Sequence, residues 1–228
     1  MDYGTMIGDS FTYVKEGIID KVNTWLLLMI ATLILAIPLM GYIISVYRGT
    51  RPAPEVGGWS KLIVDGILLL IVGIIYAIPI IILEFLIIGA AFVTRMGSHP
   101  TTMMTALAGA GILAVILILV AIIIALVAPI GIIRFARTGN FAEAFNFGEI
   151  MATIKKIGWL SYILALIIIT IVVGIPVLIL WAILTALIIA LPIVGLVLAG
   201  IILLIVIPII AVFEARCYTQ VYESAGTV

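Results

Sequence analysis

A carboxylate or guanidinium is costly wherever hydrocarbon replaces water, so an ionisable residue inside an apolar run is a functional candidate by default. Glu84 is the foremost one, because it directly follows the charge-free stretch Gly66–Leu83. Buried, it would carry a proton or a cation. It can instead mark the end of a membrane crossing, since Leu62–Leu83 already makes about 33 Å of helix. The second reading is the expectation here. Arg134, Arg137, Lys155 and Lys156 offer a different chemistry: long basic stems at a membrane surface reach lipid headgroups and could hold their phosphates. Asp65 stands four residues after Lys61, on the same helix face, and suits an interfacial pair. Glu214 and Arg216 close the last apolar run and read as interfacial.

Little else in the chain spells out a reaction. Cys217 is a single cysteine and His99 a single histidine, which excludes an intramolecular disulfide, a thiolate metal cage and a multi-histidine site. His99 reads as a surface residue, and Cys217, next to an arginine near the membrane surface, is a conceivable palmitoylation position. There is no glycine-rich phosphate loop, no HExxH and no nucleophile elbow. The expectation is therefore no catalytic residue, no cofactor and no metal. Eleven basic residues balance eleven acidic ones and are scattered, so nucleic acid is not an expected partner.

The elements that must position these residues are hydrophobic ones. Of 228 residues, 66% are hydrophobic and 10% charged, against about 25% charged in ordinary globular chains. Mean hydropathy is +1.48. No charged residue or histidine occurs in Val22–Tyr47, Gly66–Leu83, Pro100–Ile133 or Ile157–Phe213. A spanning helix needs roughly 20 such residues. The reading is an all-α, polytopic helical membrane protein of one domain, with about five membrane segments: 25–47, 62–94, 103–133, 157–180 and 186–213. The last charge-free run would make about 85 Å of helix, so it must fold back, with the break between Pro176 and Gly195. The first segment either spans fully or dips in and returns at Pro38, where proline removes a backbone hydrogen bond. Four carboxylates and two lysines precede it, which is unlike a cleavable signal, so it is expected to be retained as an anchor.

Two segments carry an amphipathic pattern. In 1–24, Phe11, Val14, Ile18 and Val22 line one face and Lys15, Glu16, Asp20 and Lys21 another; in the connector 134–156, Phe145, Ile150, Met151 and Ile154, with Ile157 beyond, fall near helical spacing. Both are expected to lie in the interface. The two also align as an internal repeat: Phe11-x-Tyr13 precedes Lys21 and Trp25 as Phe145-x-Phe147 precedes Lys155 and Trp159. Separately, Pro129-Ile130-x-x-Ile133-x-x-Ala136-Arg137 matches Pro208-Ile209-x-x-Val212-x-x-Ala215-Arg216. Lysine and arginine favour the cytoplasmic side. Loops 48–61 and 134–156 and the C-terminal segment are accordingly expected there, with Arg95 alone in the loop between them. A spanning first segment gives eight basic residues inside and three outside; a re-entrant one gives ten and one.

Several short motifs carry a resemblance. Phe11-Thr12-Tyr13 before a charged helix, Trp25, and Pro38-Leu39-Met40-Gly41-Tyr42 running into Arg48 are three of them. Leu62-x-x-Asp65-Gly66 with Tyr76-x-x-Pro79, and Phe145-Asn146-Phe147 before Trp159, are the others. Together they resemble the archaeal and bacterial membrane family catalogued as domain of unknown function 4013. The resemblance implies a multi-pass cell-membrane protein and no activity or catalytic residue to carry over. Three functional classes follow. The first is a non-enzymatic membrane component or subunit, with the lipid bilayer and other membrane proteins or a second copy as partners. The second is a small-solute or ion transporter or channel, favoured by the repeat and by proline- and glycine-interrupted helices. The third is a lipid-modifying enzyme, which would need convergent polar groups at depth.

Overall fold

A computed structural model describes residues 2–96 and 100–226; His99 lies outside them. No strand occurs among the described residues. The described residues form eight α-helices: α1 (Tyr3–Val14), α2 (Val22–Leu33), α3 (Ile37–Tyr47), α4 (Trp59–Met96), α5 (Pro100–Thr138), α6 (Phe147–Ile157), α7 (Trp159–Ala190) and α8 (Pro192–Glu223). Four of them, α4, α5, α7 and α8, are long and apolar enough to cross a membrane. α4 and α5 each hold one charge-free run with its flanks, and α7 and α8 share the last, so that every backbone polar group can be satisfied within the helix itself.

The first apolar run is not one helix. It breaks into α2 and α3 at a turn in which Leu35 and Ala36 take φ of +53° and +57°. Residues with a Cβ rarely adopt that conformation and it is strained for them. The turn closes through Ala36 N–H donating to the Thr32 carbonyl (3.0 Å) and Ile37 N–H to that of Ile34 (3.2 Å). On the re-entrant alternative, Pro38 is the return point. Instead it sits in the first turn of α3, where a missing N–H costs nothing because that group has no intrahelical acceptor.

The second fold-back falls at Leu191, inside the expected interval from Pro176 to Gly195 but beyond the gap between segments 157–180 and 186–213. Pro176 and Trp181 lie inside α7, which continues to Ala190; Pro192 opens α8. Proline inside a membrane helix frees few groups and is tolerated, whereas Pro192 at a first turn permits the new helix to start.

Two compact units result: Met1–Leu70 with Ile130–Val228, and Ile71–Pro129. In the first, α8 is the central element and contacts α1, α2, α3, α6 and α7. Its core joins Val14 and Ile18 to Leu28, Leu39, Tyr42 and Val212. Backbone meets backbone where α3 crosses α4: a Cβ on Gly41 would lie 1.9 Å from the Leu62 carbonyl oxygen, and one on Gly66 1.9 Å from that of Ile37. Only glycine fits both places.

The second unit holds the later part of α4 and the earlier part of α5. Along α5 the partly covered positions Ala106, Ala110, Ala114, Leu117, Ala121 and Ile124 recur at helical spacing, and along α4 so do Ile80, Leu83, Ile87 and Ala90. The other faces are bare and apolar, with Phe85 at 78% and Ile112 at 64% exposure.

Both amphipathic segments form helices, but their apolar faces are spent largely on protein. Asp2 caps α1 by accepting from the N–H groups of Gly4 and Thr5. Val14 and Ile18 are buried, while Phe11 and Val22 remain exposed. A π-type turn separates them, closed by Asp20 N–H donating to the Lys15 carbonyl (2.8 Å), and it rotates Val22 off the expected face. In α6, capped by Asn146, Ile150 and Ile154 are fully buried; Phe145 precedes the helix in a 3₁₀ turn.

Candidate functional site

The charged residues gather where the polar ends of α3, α5 and α8 meet α1. Asp9 faces α8, and its Oδ2 accepts from Arg216 Nη2 (3.0 Å) and Nε (3.3 Å) and from Arg51 Nη2 (3.0 Å). Arg216 also lies 3.9 Å from Glu223, whose other oxygen accepts from Arg137. Arg137 Nε donates to the Tyr47 carbonyl (2.7 Å). Arg48 completes the end by pairing with Asp65 (2.7 Å) and donating to the Ala136 carbonyl (3.3 Å).

Burial makes these contacts matter. The Arg216 side chain is 0% exposed, so its charge survives only with carboxylates beside it. The Tyr13 ring faces its guanidinium at 5.2 Å. Burial also pushes the Tyr13 phenol up in pKa. On the next residue of α8, Cys217 Sγ approaches Ser10 Oγ at 3.2 Å, and one turn along Gln220 donates to both Ser10 Oγ (2.7 Å) and the Met6 carbonyl (3.1 Å). Tyr13 meets Arg216 whereas the earlier Met6 meets the later Gln220, so the two helices run antiparallel.

The sequence candidates fare unequally. Arg134 is turned onto protein: it donates to Glu143 and lies 3.7 Å from Glu149. The Arg134 hydrogen bond, with one from Asn146, holds the Glu143 carboxyl below the usual glutamate range. Arg137 is likewise held by Tyr47 and Glu223. Both arginines are thus engaged by carboxylates of the protein: the connector after α5 brings Glu143 and Glu149 to Arg134, and the end of α8 brings Glu223 to Arg137. Lys155 and Lys156 are exposed at the end of α6. Asp65 pairs with Arg48 and not with Lys61, since the glycine contact brings α3 onto α4. Cys217 is fully buried, which places it out of reach of acylation.

Glu84 is exposed on α4. It stands nineteen residues beyond Asp65 in the sequence, about 28 Å along the helix, which is the thickness of a hydrocarbon core. We expect Glu84→Gln to change the unfolding free energy of the purified protein by less than about 0.5 kcal/mol. A larger loss, measured by thermal unfolding in detergent, would show that the carboxylate is structurally committed.

The Asp9–Arg216 pair was missed in the sequence. Its one signal was the repeat: Arg137 and Arg216 occupy matching positions after Pro129 and Pro208, and both guanidinium groups reach Glu223. Among the described residues no group of three or more histidines, cysteines or carboxylates is placed to hold a metal ion. A family model described as "Protein of unknown function (DUF4013)" matches residues 25–185. No curated protein and no solved structure matches the chain.

Proposed function

Because the chain belongs to the DUF4013 family, which brings no activity with it, we propose from the structure alone that it is a non-enzymatic component of a membrane assembly. The unit Ile71–Pro129 carries this reading. Each of its two helices has one partly covered stripe and leaves its remaining apolar surface to lipid or to further helices. Helices that associate in a membrane do so by close packing, and such faces supply it. The charged end supports the same role: its arginines and carboxylates are committed to holding α1, α3, α5 and α8 together. By the bias of lysine and arginine this end, including the N-terminal helix, faces the cytoplasm of a cell membrane. In a Cys217→Ser background, cysteines placed at Ile118 or Ile122 should give discrete cross-linked species with a bismaleimide in native membranes. Cross-linking that yields only the monomer at both positions would overturn the assembly reading.

One observation favours a second reading, a small-solute or ion transporter. The broken pair α2–α3, with two strained left-handed residues at its turn, has the form of the discontinuous helices around transport sites. Solute or ion flux in vesicles holding the purified protein alone would select it.

A further inference from the structure

A cavity of about 260 Å³ lies between α1 and the charge-free parts of α7 and α8. Its walls include Phe11, Ile19, Val173, Pro176, Ile210 and Phe213, with no polar side chain among them. Ile19 of the π-type turn Lys15–Ile19 and Pro176 inside α7 both line it, and Pro208 inside α8 directly precedes its wall residues Ile209 and Ile210. Water has no partners in such a site and does not stay. An empty slot beside liquid hydrocarbon forfeits dispersion contacts on every wall. The neighbouring exposed residues Ile171, Ile175 and Ile207 continue the apolar surface outward from the slot. A methylene occupies about the space of a water molecule, roughly 30 Å³, so the slot takes eight or nine of them.

The charge beside the opening narrows the ligand further. Lys15 opens the π-type turn, four residues after the wall residue Phe11 and four before the wall residue Ile19, and its side chain is exposed. It makes no ion pair among the described residues. Arg216, one turn beyond Phe213, is already held by Asp9.

We propose that this cavity is a binding site for one hydrocarbon chain of an anionic membrane phospholipid, whose headgroup is held by Lys15. The site is independent of the assembly reading above and requires no partner protein. A chain here wedges between α1 and the α7–α8 pair and ties the N-terminal helix to the membrane.

The test uses the full-length protein in phosphatidylcholine vesicles containing phosphatidylglycerol with a photoactivatable diazirine in mid-chain, with adducts mapped by mass spectrometry. Adducts should concentrate at Val173 and Ile210 over exposed Ile118 and Ile122. Val173→Trp, which fills the slot, should bring Ile210 labelling down to the level of Ile118 while the protein stays monodisperse. Lys15→Gln should reduce the preference for phosphatidylglycerol over a diazirine phosphatidylcholine about fivefold, as one lysine near the headgroups contributes about 1 kcal/mol. If Val173→Trp does not fold, Ile210→Phe, with Val173 read instead, fills the same space. Equal labelling of wall and exposed positions, or no loss on filling, overturns the site. Unchanged headgroup preference in Lys15→Gln overturns the anionic assignment.

Discussion

Replacing Gly41 with alanine is expected to leave little folded protein. The added Cβ would meet the Leu62 backbone oxygen at 1.9 Å, far inside the 3.3 Å or so of a close carbon–oxygen contact. No rotamer change relieves a clash with backbone, so α3 and α4 must separate. Ordinary overpacking costs about 1–3 kcal/mol, and this substitution is expected to exceed that. Separation also draws Arg48 away from Asp65, and α3 then loses its grip on α8. Gly66→Ala should behave alike, through the Ile37 oxygen. Gly73 is the control: a Cβ there meets nothing within 4 Å, so Gly73→Ala should be neutral or stabilising by up to about 1 kcal/mol. Recovery of monodisperse protein and thermal midpoint in detergent read the outcome. Wild-type behaviour of Gly41→Ala would mean that the two backbones are not in contact.

Asp9→Ala is expected to have the second largest effect, larger than removal of the arginine it holds. Without Asp9, the fully buried Arg216 is left, among the described residues, with the Tyr13 ring and with Glu223 at 3.9 Å as its one carboxylate. Removing one partner of a buried pair costs about 3–5 kcal/mol. Arg216→Met is milder, because Asp9 keeps Arg51 and Glu223 keeps Arg137. The double variant Asp9→Ala/Arg216→Met should recover most of the loss, since no charge is then stranded. Cys217 is a native reporter, buried against Ser10 and the α1 helix. An opening made easier by about 3 kcal/mol speeds its reaction with a maleimide by roughly two orders of magnitude. If Cys217 reacts at the wild-type rate in Asp9→Ala, the α1–α8 contact does not depend on this pair.

Composition and charge-free runs made the four long helices legible, because a helix that must satisfy its own backbone in hydrocarbon leaves an unbroken apolar record. The ends of these helices were less so. Pro176 and Pro192 look alike in the sequence, yet one lies within α7 and the other begins α8; the choice rests on where the chain can pack after turning. The turn at Leu35–Ala36 left no mark, since neither residue favours a left-handed backbone. For α1, the helical spacing of Val14 and Ile18 was visible, but a pattern of apolar residues does not say whether protein or lipid will cover it. The Asp9–Arg216 pair was out of reach for a plainer reason. Local spacing informs about neighbours on one helix, and these two residues are 207 positions apart.

That separation sets a schedule for synthesis. Ribosomes add about 5–20 residues per second, so α1 exists for about 10–40 seconds before Arg216, Cys217 and Gln220 emerge. Throughout that interval Val14, Ile18 and the Asp9 carboxylate have no α8 to meet. The membrane surface, or a chaperone that shields apolar helices, must shelter the segment until α8 arrives. A ribosome stalled before residue 216 would hold an inserted chain with α1 still open to proteases.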